Sequence, residues 1–396
     1  MNSTIIDTIN SKASAIFEKV IAYRKHMHAH PELSFQEIET MKFVSDTLTE
    51  LGIEHATGVG KTGVVGLIKA SHHSNEMACI GLRSDLDALP ILEETGLDFA
   101  SENKGVMHAC GHDVHTSILL GVAEILHELR EELPQPVKLI FQPGEEQNPG
   151  GATLMIADGV LENPTVKEMY ALHVFPEMES GKVGFKEGLY MASSDEIHLT
   201  IHGKGGHGAT PAACIDPIVI GANIIVQLQQ IVSRKCNPSI PSVLTFGHFE
   251  ALGSTNVIPS TAKLKGTFRT MDEHWRAEAL SLIKQQIHAI AESQGATVEL
   301  TISKGYPFLK NDPQLTQTLK AKAIEVLSTQ NVIDLPIRMT SEDFAFYAQK
   351  IPICFFRLGV RNEAKGIIHA VHNSKFDSDD QALITGMKMM SLAVFQ

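Results

Sequence analysis

Apolar positions recur along the chain in two rhythms. Near the N-terminus Ala13, Ile16, Phe17, Val20, Arg24 and Met27 fall at helical spacing, with the Arg stem completing the stripe. The spacing predicts one helix that stops at Pro31, because a residue before proline disfavours the helical region. Short unbroken apolar runs follow at 64–68 (VVGLI), 78–82 (ACIGL), 137–141 (VKLIF) and 169–174 (MYALHV). They alternate with amphipathic stretches such as 116–130, where Ile118, Val122, Ile125, Leu126 and Leu129 share a face. Buried strands alternating with helices predict an α/β layer architecture on a mostly parallel sheet.

Near residue 190 the pattern changes. EIHLTIHG reads as a strand, and Asp216-Pro217 opens a helix running to about Arg234, with proline at the first helical position. Two strands follow, SVLTFGHFEA and TAKLKGTFRT, then a helix from about Glu273 to Gln294 and the strand TVELTIS. This β-α-β-β-α-β order is the ferredoxin-like split arrangement. Beyond Lys304 the α/β character resumes: Asp312-Pro313 starts a helix, Ser341 caps another, ICFFRL is a strand and 379–395 a terminal helix whose Met387, Met389 and Met390 serve as core and surface filler. The expected organisation is a discontinuous domain, 1–190 with 303–396, interrupted by an inserted lid, 191–302.

Composition narrows the function. A formal net charge of −13 argues against a nucleic-acid groove or an anionic-membrane surface. Asp7 and Glu18 interrupt the first apolar stretch, so no secretory signal is expected there, and no apolar run reaches membrane-spanning length. Five scattered cysteines form no CxxC pair, which suits a reducing, cytoplasmic compartment.

Four segments carry candidate chemistry. In MHACGHDVHTS, Cys110 and His112 flank Gly111 before a helix, a thiolate and an imidazole able to bind a borderline divalent metal. Asp113 could orient an imidazole. Alone, the spacing fits equally a buried cysteine beside a helix-capping histidine. In FQPGEEQNPGG a buried strand delivers Glu145 and Glu146 to its C-terminal end, where α/β sheets place ligand sites. Two carboxylates so close repel unless a cation sits with them. His173, inside YALHVFP, reads locally as a core histidine, and His372, in AVHNSKFD, as a surface loop residue. His26, His28 and His30 form a stripe at a helix end, where cationic residues suit the dipole, and Ser341-Glu342-Asp343 reads as an N-cap with an acidic first turn.

Taken in order, LRSDLDALPI, MHACGHDVHT, FQPGEE, ALHV, GKGGHGATPAACIDPI, GTFRTMDE, TSEDFAFY and HNSKFD resemble the M20 metallopeptidase family, in its amidohydrolase branch of hippurate, auxin-conjugate and N-acyl-amino-acid hydrolases. The resemblance runs from HMHAHPELSFQE to the last helix. It implies a zinc-peptidase-like catalytic domain with a mixed, mostly parallel sheet plus a ferredoxin-like lid and dimerisation domain. It implies metal ligands at Cys110, His112, Glu146, His173 and His372, Glu145 as general base, and two divalent ions (Zn2+ or Mn2+, with Co2+ or Ni2+ as options). Asp85 matches an acidic position behind the ligands, and Arg83 stands where other branches carry a metal-binding histidine. His207 resembles a lid histidine that reaches a neighbouring subunit's site to stabilise the oxyanion, which implies a homodimer or homotetramer. Asn256 and Arg269 resemble contacts to the substrate carboxylate or oxyanion. The implied reaction is hydrolysis of N-acyl amino acids. The rivals are an aminopeptidase or dipeptidase on the same fold, a thiol hydrolase using Cys110, and a non-catalytic metal- or peptide-binding relative. The departures are Thr340 before Ser341-Glu342-Asp343, and Gly208 and Ala212-Ala213 after His207; they leave the substrate open.

Overall fold

The apolar runs of the N-terminal half become neighbours in one eight-stranded sheet. Its centre is parallel, in the order Val137–Gln142, Cys79–Asp85, Val166–Glu179 and Ile353–Arg361. Every residue of Cys79–Asp85 and of Val137–Gln142 is buried, which is why these strands read as unbroken apolar runs: a parallel sheet covered on both faces has no wet side. One edge is antiparallel, through Gly63–Ile68 and Glu54–Val59. The other carries Val183–Phe185, antiparallel to Ile353–Arg361, and then Val332–Asp334. The register sets Asp85 opposite Gln142 and Arg83 opposite Ala171, so Asp85 and the PGEE turn, at the carboxyl ends of their strands, come level with His173 inside its longer one.

This computed structural model describes residues 3–74 and 76–395. The chain divides into two compact units, one comprising Met1–Gly188, Lys310–Pro336 and Phe346–Gln396, the other Leu189–Leu309 and Ile337–Ala345. In the first unit the expected single N-terminal helix is two, Ser3–Ala15 and Phe17–Ala29, broken at Ile16 (φ −96°, ψ 6°). A continuous apolar stripe does not register a one-residue break in the backbone. The helix His112–Glu128 is buried along most of its length, and Met387, Met389 and Met390 of the last helix, Gln381–Ala393, are all core, none of them surface filler.

The second unit is a four-stranded antiparallel sheet in the order Ser242–Glu250, Thr261–Thr270, Asp195–His202, Thr297–Lys304. With the helices Pro217–Gln230 and Glu273–Ser293 it makes the split β-α-β-β-α-β arrangement. Both helices start where sequence chemistry places them: Asp216 accepts from Ile218 N at 2.8 Å and Asp272 from Trp275 N at 2.7 Å. The first helix stops short of Arg234, passing into a π-helical turn over Ile231–Lys235. Ile220, Ile224, Leu228, Ile283 and Ile287 pack on Ile197, Leu199, Ile201, Leu264 and Phe268.

Candidate metal centre

The site is built around one glycine. Gly111 has a φ of 81°, and a Cβ there would lie 2.6 Å from a methyl carbon of Val174. A side chain is therefore excluded twice, by conformation and by contact. The same close approach brings the turn onto the strand that carries His173, and Cys110 Sγ lies 3.4 Å from His173 Nε2. His112 follows as the first residue of its helix.

Hydrogen bonding decides which ring nitrogens remain for a ligand. His173 Nδ1 donates to Val174 O at 2.8 Å, which leaves the Nε2 lone pair facing Cys110. His112 Nδ1 bonds Asp87 Oδ1 at 3.1 Å, and its Nε2 is fully buried with no hydrogen-bond partner. His115, one turn further on, spends both nitrogens: Nδ1 on Asp85 Oδ1 at 2.6 Å and Nε2 accepting from Val174 N at 2.9 Å. So although Asp85, His112 and His115 cluster, His115 is a structural ring and no ligand. His372 sits at φ 63°, its N–H held by Ala109 O at 2.7 Å, with Nε2 3.2 Å from Glu146 Oε1. Ligand atoms of Cys110, His112 and His173 lie within 4.8 Å of one another, as do those of Cys110, Glu146 and His372, and of His112, Glu145 and Glu146. The structure thus brings together all six residues at issue in this unit.

The electrostatics of the cluster are unbalanced. Burial, then the Glu146, Glu145 and Asp85 carboxylates, hold the Cys110 thiol well above its ordinary pKa. Burial opposes charge on His112, but Asp85, Asp87 and Glu146 outweigh it and raise the ring to about 10. Burial, and then Arg357, push His173 well below the usual imidazole value. A buried thiol beside carboxylates and a buried imidazole nitrogen with no hydrogen-bond partner are what a divalent cation would resolve, and the sulfur, nitrogen and oxygen set suits a borderline ion.

Behind the ligands, Asp85 is pinned by His115 and by Arg83 Nη1 at 2.6 Å, while Arg83 Nε reaches Gln142 Oε1 at 3.1 Å. Sequence reasoning missed Asp87. It orients His112 and also accepts from Ser34 Oγ at 2.6 Å and from Glu146 N at 2.9 Å. The available signal was its place two residues after Asp85, on the same approach to the site. Asp113 orients no ligand ring: its Oδ2 bonds His28 Nδ1 at 2.9 Å and lies 3.4 Å from Arg24 Nε. His28 also meets Glu93 at 3.3 Å, and Arg24 pairs with Asp377 and Asp380. The histidine stripe at the helix end therefore contains one buried ionic residue.

Three expected residues belong to the second unit. His207 lies on the short exposed strand Gly206–His207, paired with Val257–Ile258, which places Asn256 alongside it; Gly208 N donates to Asn256 O at 2.8 Å. His207 Nδ1 accepts from Ala209 N at 3.0 Å, so the neutral ring carries its proton on Nε2. Arg269 is half-buried, bonded to Met339 O at 3.2 Å and reaching Ser341 Oγ at 3.5 Å, with no ion pair among the described residues. Ser341 caps no helix. The next helix is the single turn Ala345–Ala348, and Glu342 and Asp343 are buried rather than exposed in a first helical turn.

Comparison with known proteins shows what the chain as a whole is similar to. The model of peptidase family M20/M25/M40 matches residues 81–396. The N-acyl-L-amino acid amidohydrolase of Geobacillus stearothermophilus is 42% identical over 72% of this chain and 76% of its own length. Thermostable carboxypeptidase 1 of Saccharolobus solfataricus is 37% identical over 96% of both chains. The solved structure of the YXEP protein of Bacillus subtilis, described as a dinuclear metal binding peptidase from the M20 family, superposes with a TM-score of 0.81 at 34% identity, over 96% of this chain and 98% of that one.

Proposed function

This chain belongs to peptidase family M20/M25/M40, and from that membership we propose that it hydrolyses the amide bond of N-acyl amino acids, releasing a carboxylic acid and a free amino acid. The observation that carries the reading is the buried His112 Nε2 with no hydrogen-bond partner, set among Cys110, Glu145 and Glu146. Cys110, His112, Glu146, His173 and His372 would hold two divalent ions, Zn2+ or Mn2+ with Co2+ or Ni2+ as options, and Cys110 is common to two of the ligand groups. Bound there, the ions supply Lewis acidity and a water of lowered pKa.

The protein's own groups do the rest. Glu145 takes the proton from the attacking water and returns it to the leaving amine. Asp85 and Asp87 hold rings and backbone in place and move no proton. His207, with Nε2–H outward, is the donor for the developing oxyanion, and Asn256 beside it supplies a further polar contact. Arg269, half-buried and without a carboxylate of its own, suits the carboxylate of an acyl amino acid. A peptide with a free C-terminus offers the same carboxylate, so carboxypeptidase substrates belong in the same screen, with free-amine dipeptides as the contrast.

The second unit is the lid and dimerisation domain of this reading. Its edge strand Ser242–Glu250 exposes Val243 and Phe249, and its helix Pro217–Gln230 exposes Val219 and Val226. Those surfaces support a homodimer, or a homotetramer built from it, in which His207 serves the partner's site. No helix among the described residues is long and apolar enough to cross a membrane. Five free cysteines fit a cytoplasmic location.

The test is Glu145→Gln in metal-reconstituted protein, assayed on acyl amino acids varied at both ends. Turnover falls by about 10^2–10^4-fold with both metals retained. A variant that keeps its metals and its turnover would sink the assignment.

A further inference from the structure

The segment HPELSFQE resembles its family without supplying any ligand, and the structure shows what it touches. Glu37 stands at the N-cap of the helix Ile38–Glu50, yet its side chain caps nothing there. Glu32 does that work instead, accepting from Thr40 N at 2.9 Å and Glu39 N at 3.2 Å. The Glu37 carboxylate, 0% exposed, turns the other way. One oxygen accepts from Gly144 N at 2.8 Å and the other from Thr62 Oγ1 at 2.5 Å. Gly144 is the residue before Glu145.

The rest of the segment converges on the same turn. The Phe35 ring fills the space beside Gly144, where a Cβ would lie 2.3 Å from the ring. Gly144 O accepts from Gly151 N at 3.0 Å, so both backbone polar groups of Gly144 are tied. Ser34 reaches Asp87, and through it Glu146 N. A buried acid diverted from its own helix end to a backbone amide 107 residues away is placed to hold that amide.

We propose that Glu37 is a positioning residue for the reaction: through its hydrogen bond to Gly144 N it fixes the turn that aims the Glu145 carboxylate. This rests on Glu145 being the group that moves the proton. The hydrogen bond, and not the charge, carries the role. A glutamine can keep both contacts, because its Oε1 still accepts from Gly144 N and the Thr62 hydroxyl can accept from its amide. An aspartate keeps the charge but is one methylene too short to reach.

Glu37→Gln and Glu37→Asp, each loaded with metal, test it alongside Glu145→Gln. Glu37→Gln keeps kcat within about threefold with an unmoved pH profile. Glu37→Asp loses about 10–100-fold in kcat, the range for a partner one step behind a reactive group, with KM within about threefold. Both variants bind two metals per chain, and amide exchange at Gly144 accelerates only in Glu37→Asp. The reverse order of activities, a shifted acid limb in Glu37→Gln, or loss of metal in step with loss of kcat would overturn the proposal. If Glu145→Gln retains full turnover, the base assignment fails whatever Glu37 does; if Glu145→Gln is inactive and Glu37→Asp is not, only the positioning role fails.

Discussion

Two buried charge clusters share the first turn of the helix His112–Glu128, and they are wired differently. Asp113 enters one that is closed: Arg24 meets Asp113, Asp377 and Asp380, and His28 meets Asp113 and Glu93, every cation having a carboxylate within 3.4 Å. His112, one residue earlier, enters the other, where Cys110, Glu145 and Glu146 crowd an imidazole nitrogen that makes no hydrogen bond and has Asp85 Oδ2 3.7 Å away. The first cluster sets a cation against each of its buried carboxylates. The second gathers metal-ligand atoms that a cation would complete. Buried charge by itself does not mark a site; buried charge that the chain leaves unbalanced does.

The largest effect should come from breaking the open cluster. Cys110→Ser removes the soft donor at nearly constant volume, and turnover on acyl amino acids should fall by more than about 10^3-fold, beyond the 10–100-fold typical of partners behind a metal ligand. The metal-free variant should melt within about 1 kcal/mol of metal-free wild type, since no internal ion pair is lost. A drop of several kcal/mol in the metal-free state would show that the thiol is structural and erase the contrast.

Breaking the closed cluster should do the opposite. Arg24→Met leaves Asp113 with His28 as its one remaining cation and strips Asp377 and Asp380 of theirs, and should cost up to about 3–5 kcal/mol in denaturant unfolding. Metal content should stay at two per folded chain, with turnover per folded molecule changed only several-fold. Loss of metal at full stability would mean that the two clusters are one system.

Asp87→Asn probes the boundary between them with a smaller change. With its oxygen kept on Glu146 N and Ser34 Oγ, the amide turns its NH2 toward His112 Nδ1 and donates where the carboxylate accepted. The ring proton then moves to Nε2, and the lone pair aimed into the cluster is lost. Metal affinity, read by competition with a chelator, should fall by about 10–100-fold. Unchanged affinity would show that Asp87 does not set the tautomer.

How far the sequence revealed this follows from the same contrast. Strands buried on both faces, capped helices and the split arrangement of the second unit were legible, because each rests on local periodicity or on a side chain next to the backbone it caps. Cys110, His112 and the Glu145-Glu146 pair were legible because they are adjacent in sequence. His173 and His372 read locally as a core ring and a loop ring; only position in the family order singled them out, since their partners lie far along the chain. The contacts of Asp87 and Glu37 and the pairing of Asp113 with His28 were not legible for that reason, each spanning from 25 to 107 residues, although Asp87 stands two residues after Asp85. Ser341 was misread because an N-cap pattern does not reveal that Glu342 and Asp343 are buried.

The smallest effect is in pH, and it separates the clusters by sign. Burial opposes charge on His28, but Asp113 and Glu93 raise it to about 9, against about 6.5 in an unfolded chain. A raised folded value means stability that is fully present below about 6.5 and fades as pH climbs through 9. About 1–2 kcal/mol should disappear across that window in wild type. His112, at about 10 without metal, adds a loss of the same sign that extends further. In metal-free protein His28→Gln should therefore remove the part ending near 9 and leave the part ending near 10. With metal the His112 contribution changes sign, because a ligating ring must be unprotonated and binding releases its proton. Metal-loaded His28→Gln should gain stability between pH 6 and 9, measured by urea melts at fixed free metal. A loss there as large as in wild type would mean that the alkaline limb belongs to neither histidine.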